Sequence, residues 1–111
     1  MMNRGDLLLV PFPFSNQAGK KVRPVIVISN NDFNEHSEDL IVVGVTSNLS
    51  KDRYTLKLNN QDLEEGKLIS ECCIKVENIL RLDKFLVIKK IGKIKKEKTS
   101  QIIKILESII K

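Results

Sequence analysis

The chain has 111 residues, 41% hydrophobic and 30% charged, with a formal net charge of +5. That length fits one domain with a modest core, and the composition excludes disorder as the default state. The longest apolar runs, LLLVPFPF and VIVI, are far too short to cross a bilayer. The opening MMNRGD lacks an apolar stretch followed by a cleavage site, so a cytoplasmic location is expected. The excess of basic residues favours an anionic partner.

Strand signals lead the chain. Leu7 to Pro11 is a continuous apolar run. Phe14 to Lys21, FSNQAGKK, is a polar loop in which Gly19 is available for a positive φ. Pro24 to Ser29 is β-branched and bounded by Pro and Asn-Asn. Asn30 to Asp39 reads as a loop or short surface helix. Leu40 to Thr46 is the third strand, with Gly44 marking a bulge or a close backbone approach. Tyr54 to Leu58 alternates apolar and polar, as a half-exposed strand does. Asn59 to Gly66 is a turn or short helix. Lys67 to Cys73 and Ile74 to Ile79 are two weaker strand candidates, and Leu86 to Ile91 is a last one.

The segment KKIGKIKKEK, residues 89–98, holds six lysines and one Glu. It reads as a solvated strand edge and turn, since lysine discourages edge-to-edge pairing. The other reading is a phosphate-attracting patch. From Thr99 the period becomes helical: Ile102, Ile103, Leu106, Ile109 and Ile110 share a face, and Thr99 or Ser100 is the expected cap. Many short strands followed by one helix predict a mainly β fold, a small curved sheet or barrel of α+β type, rather than a doubly wound one.

Two cysteines, Cys72 and Cys73, are adjacent. In a strand their side chains diverge to opposite faces, so a bond between them is geometrically poor. With no His/Cys cluster around them they form no zinc site. Both are expected as reduced thiols, at least one in the core. The single histidine, His36, lies in a polar stretch and reads as solvated. Asp6 suits a turn cap or an acceptor for a loop amide.

The stretches RGDLLLVPFPFS (Arg4 to Ser15), KKVRPVIVISNNDFN (Lys20 to Asn34), LIVVGVTSN (Leu40 to Asn48) and SECCIKVENILRLDKFLVIKKIGKI (Ser70 to Ile94) together resemble the MazF/PemK family of toxin endoribonucleases. The resemblance runs in order from residue 4 to about residue 94 and continues into the terminal helix. It implies a single toxin domain over residues 1–111, an SH3-like barrel of antiparallel strands with a C-terminal helix, and a homodimer. It implies metal-independent, sequence-specific cleavage of single-stranded RNA, commonly mRNA, with no cofactor. The implied partner is a cognate antitoxin whose acidic, disordered tail covers the RNA-binding surface. The family's catalytic arginine and Ser/Thr fall on Arg23 and Thr46.

Metal-free RNA cleavage asks for a charge stabiliser, a proton acceptor and a proton donor. Arg23 suits the first, because its planar fork donates two parallel hydrogen bonds to a phosphate. Pro24 fixes its own φ and biases Arg23 toward extended backbone. The plainer reading of Arg23 is a surface arginine beside a strand. Thr46 has a hydroxyl for a phosphate oxygen or the 2′-OH; the plainer reading is a strand-end threonine bonding its local backbone.

RNA recognition is expected from the loop after the first strand. Phe14 stacks on a base or else packs in the core beside Phe12. Ser15, Asn16 and Gln17 read base edges, and Lys20 and Lys21 meet phosphates. Ser47, Asn48, Ser70, Glu71 and Glu77 are candidates for the rim. Two other functions compete: a non-catalytic barrel binding nucleic acid or peptide, and a gyrase-directed toxin on the same fold.

Overall fold

The structure is a computed structural model and describes residues 2–12, 21–49 and 52–111. In chain order the strands are β1 (Asp6–Phe12), β2 (Lys21–Val27), β3 (Asp39–Thr46), β4 (Thr55–Leu58), β5 (Leu63–Gly66), β6 (Cys72–Asp83) and β7 (Lys89–Ile94). The helices are α1 (Asn31–His36) and α2 (Lys96–Ile110). The strands form one sheet in the order β4-β6-β3-β2-β1-β7-β5, and every pairing among the described residues is antiparallel. The sheet curls into a half-barrel, and the expected mainly β architecture with a C-terminal helix holds.

Alternation along the strands fills two apolar clusters, one on each face. Leu7, Ile26, Val43, Val45, Ile74 and Val76 belong to the first. Leu8, Val10, Val25, Val27, Leu40, Val42 and Leu82 belong to the second. α2 closes the first cluster: Ile102 is fully buried there, with Ile105, Leu106 and Ile109 packed against it. Burying a side chain of that size contributes about 1.5–3 kcal/mol.

Several boundaries differ from the sequence reading. β2 starts at Lys21 and takes in Arg23, because pairing with β1 (Val10 opposite Arg23) continues past the apolar run. The two strands expected over residues 67–79 are one long strand, β6, and the stretch before Cys72 is not strand. Of the turn or short helix expected over Asn59 to Gly66, only Asn60–Asp62 is helical, a short 3-10 turn capped by Asn59, and the rest is strand β5. The last strand is β7, which lies between β1 and β5; β5 covers it from Gly92 to Ile94, so Lys93 is flanked on both sides while Lys89 and Lys90 lie on a stretch paired with β1 alone. Lys96 and Lys98 sit in the first turn of α2. That helix begins three residues before Thr99. Its cap position is Lys95, with no side-chain cap, and Thr99 Oγ1 instead donates back to the Lys95 carbonyl at 3.4 Å. Ile110 is 72% exposed and lies off the buried helix face.

α1 is the short surface helix, capped by Asn30, whose side chain accepts from Phe33 N–H at 2.8 Å. Asp6 is fully buried. Its Oδ2 accepts from the Asn3 amide at 2.8 Å, as its loop role required, and its Oδ1 lies 3.4 Å from Lys90 Nζ. Burial lowers the Lys90 pKa, but the Asp6 carboxylate and then Glu65 outweigh it, and the ammonium is held above its usual range. Among the described residues no helix is long and apolar enough to cross a membrane.

Candidate active site

The β2–β3 ladder runs Val27 to Val42, Ile26 to Val43 and Val25 to Gly44, and there it stops. The next residue of β2 is Pro24, which has no N–H to continue it. Past that point the strands leave a cavity of about 190 Å³ lined by both. Alternation puts Arg23 on the face of Val25, and antiparallel pairing puts Gly44 on that same face. Thr46, two residues on, follows Gly44. Arg23 and Thr46 are thereby brought together at the cavity wall, each half-buried.

β6 adds the far wall through an irregularity. Val43 pairs with Ile79, whereas the next residue, Gly44, pairs with Lys75. Val76, Glu77 and Asn78 therefore bulge against a single step of β3. In a regular strand residues 75 and 78 would face opposite ways. Here both line the cavity. Gly44 makes room for one of them: a Cβ there would lie 2.7 Å from Asn78 Nδ2. The sequence hint at Gly44 was thus a real close approach.

Thr46 Oγ1 accepts from the Asn48 N–H at 3.1 Å. This is the local backbone bond of the plainer reading, and it does not exclude the other. A hydroxyl has two acceptor sites and one donor, so the bond fixes the oxygen and leaves the O–H to donate.

The cavity wall carries two cations (Arg23 and Lys75), a hydroxyl (Thr46) and an amide (Asn78), and no carboxylate among its described lining residues. Such a wall accepts an anion. At about 190 Å³ the cavity is below the range of roughly 300–1,000 Å³ that encloses a drug-sized ligand. It has room for a group the size of one phosphodiester.

The other candidates are dispersed. Phe14, Ser15, Asn16, Gln17 and Lys20 lie outside the described residues. Lys21 is exposed at the start of β2, on the face of Arg23 by alternation. Ser47 and Asn48 are exposed in the turn after β3, Ser70 and Glu71 are exposed before β6, and Glu77 is exposed on the bulge. None of these five lines the cavity. Sequence reasoning missed Lys75 and Asn78: both stand in the stretch Ser70 to Ile94, but nothing there marks them, and their common face exists only because of the bulge.

Elsewhere the chemistry is quiet. Neither cysteine is in a disulfide; Cys73 is buried and Cys72 half-buried. Burial, then the neighbouring Cys73 and Glu71, push the Cys72 thiol up, which disfavours a nucleophilic thiolate. His36 is exposed on α1, away from the cavity.

A curled antiparallel sheet presenting a cationic, acid-free notch at a broken ladder is the frame of a protein that grips a polyanionic chain. The chain belongs to the family of PemK-like, MazF-like toxins of type II toxin–antitoxin systems, whose model matches residues 3–110. It is 33% identical over 87 residues to the Endoribonuclease MazF of Staphylococcus saprophyticus, an alignment covering 76% of this chain and 70% of that protein. Its fold matches that of an endoribonuclease in complex with its cognate antitoxin from a mycobacterial species. There the TM-score is 0.78 at 18% identity, covering 97% of this chain and 93% of the other. It also matches a MazE–MazF crystal structure from Deinococcus radiodurans, with a TM-score of 0.79 at 18% identity over 98% and 95% of the two chains.

Proposed function

We propose that this chain is the toxin of a type II toxin–antitoxin pair and a sequence-specific endoribonuclease that cuts single-stranded RNA, mRNA in particular, without a metal. It would act in the cytoplasm, as a single-domain subunit of a homodimer. The observation that carries the reading is the convergence of Arg23 and Thr46 on one small, acid-free cavity, within a chain of this family.

The reaction passes the proton of a ribose 2′-OH to a base and forms a bond from that oxygen to the adjacent phosphorus. The bond to the 5′-oxygen breaks, and that oxygen takes up a proton. The products are a 2′,3′-cyclic phosphate and a 5′-hydroxyl. In between, the phosphoryl oxygens carry added negative charge. Arg23 meets that charge with its two parallel N–H groups. Thr46, its oxygen fixed by the Asn48 amide, donates its O–H to a phosphoryl oxygen. Phe14 to Gln17, with Lys20 and Lys21, remain the proposed readers of the flanking nucleotides, and Ser47, Asn48, Ser70, Glu71 and Glu77 the rim.

The fold relatives include a MazF bound to its antitoxin. A cognate antitoxin with an acidic tail is the partner proposed here, and the net charge of +5 suits it.

The test is incubation of the purified protein with long single-stranded RNA in EDTA, followed by mapping of the ends. Fragments with 2′,3′-cyclic phosphate termini at a common short motif are expected. Intact RNA of every sequence at high protein concentration would reject the reading; inhibition of gyrase supercoiling in its place would select the gyrase-directed alternative. Arg23→Ala should lower kcat/KM by about 10²–10³-fold. Unchanged cleavage by that variant would remove Arg23 from the site.

A further inference from the structure

Lys75 is the second cation of the cavity, and it has a partner placed at the rim. Its Nζ lies 3.3 Å from Asp52 Oδ2, with the two side chains 32% and 59% accessible. Asp52 does not line the cavity. Its backbone is held, because its carbonyl accepts from Thr55 N–H at 3.2 Å and from Thr55 Oγ1 at 2.8 Å. Lys75 therefore stands between a carboxylate carried on a held backbone outside and an acid-free cavity inside.

The register sets the reach. Arg23 and Lys75 come from β2 and β6, the strands on either side of β3. Lys75 is level with Gly44, and Arg23, two residues beyond Val25, is level with Thr46, so their backbones are two strand spacings across and two residues along, about 12 Å apart. Both side chains line the one cavity and are long enough to reach a common phosphate there, beside the Asn78 amide that fills the space over Gly44. A half-exposed ion pair of the Lys75–Asp52 kind is weak, worth about a two- to five-fold change in an equilibrium constant. A phosphate that meets Arg23 and Lys75 together outcompetes a single carboxylate.

We propose that Lys75 is a second phosphate-binding cation of this cavity, and that Asp52 holds its ammonium at the rim until an RNA phosphate displaces the carboxylate. The proposal rests on the ribonuclease reading above and adds to it a group that binds substrate.

The experiment measures two things separately. Cleavage of long RNA by the wild type tests the ribonuclease reading. Binding of a mixed-sequence 2′-O-methyl oligonucleotide, which cannot be cleaved, tests Lys75 through its salt dependence. Lys75→Gln should flatten the slope of log K against log salt by about 0.7, the share of one phosphate contact on a single strand, while Lys75→Arg should keep it. Asp52→Asn should tighten binding about two- to five-fold at low salt, but leave binding unchanged when Lys75→Gln is also present. A slope unaltered in Lys75→Gln overturns the proposal even where the wild type cleaves RNA. So does Asp52→Asn tightening both backgrounds equally, which would mean a general field effect, or Asp52→Asn weakening binding. If Lys75→Gln does not fold, Asp52→Asn alone decides, and absence of tightening overturns the proposal.

Discussion

In the proposed site one oxygen of Thr46 would serve structure and chemistry together. Its acceptance of the Asn48 amide ends β3 with a local turn, and the same bond sets the direction of the remaining O–H. Removing the hydroxyl should therefore cost activity and a little stability at once. His36 is the opposite case, a residue with a distinct titration and no place in the site. Its Nδ1 lies 2.9 Å from the Asp32 carbonyl and 3.5 Å from the Asp32 carboxylate. The backbone bond first and the carboxylate second raise its pKa above the usual 6.5. A raised folded pKa favours the protonated folded state: the stabilisation is present below pH 6.5 and is lost as pH rises through the folded pKa. An NMR titration of His36 should give a midpoint above 6.5. Asp32→Asn should lower that midpoint only part of the way, since the carbonyl remains. His36→Ala should leave the pH–rate profile of RNA cleavage unchanged.

At the scale of elements, the bulge of β6 is the feature on which the site turns. It places Lys75 and Asn78 on one face, and Gly44 opposite gives the Asn78 amide its space. Gly44→Ala tests that packing. The new Cβ would press on Asn78 Nδ2, the far end of a flexible side chain. The overpacking costs about 1 kcal/mol, and losing a strand glycine returns about 0.5–1 kcal/mol. Its unfolding midpoint should stay near wild type while cleavage falls, as the displaced amide intrudes on the cavity. Gly66→Ala should do the reverse. Gly66 has φ +87°, and a Cβ there would sit 2.2 Å from the Ile91 carbonyl oxygen and 2.7 Å from Gly92 Cα, both backbone atoms that cannot step aside. A loss of about 2 kcal/mol or more is expected in urea unfolding, although the position belongs to β5, remote from the cavity in the sheet order.

The molecule as a whole is a half-barrel closed on one face by α2. Ile102 is the side chain of that helix that is fully buried. Ile102→Ala should cost about 2–5 kcal/mol, measured by denaturant unfolding at fixed protein concentration, because any dimer would make the midpoint depend on it. The outcome would be contradicted by a change under about 1 kcal/mol, well below the range for truncating a buried isoleucine to alanine. The basic excess also acts globally: RNA binding should weaken steeply with salt, in proportion to the phosphates contacted.

The division between sequence and tertiary structure follows from the range of the forces. Apolar periodicity is local, so β1, β3, β4 and the helical period of α2 were legible along the chain, and the four ordered motifs were enough to reach the family. Arg23 and Thr46 came with those motifs. The start of α2 was misread because Thr99, the residue that looked like a cap, lies inside the helix and bonds backward to Lys95. β5 went unseen because its LEEG has almost no apolar signal; pairing with β7 makes it a strand. Lys75 and Asn78 were beyond reach for the same reason. A bulge is a mismatch between two strands, Val43 to Ile79 on one side and Gly44 to Lys75 on the other, and it exists only once both strands have paired. The sequence determined which residues stand at one wall of the cavity; long-range register decided what stands at the other.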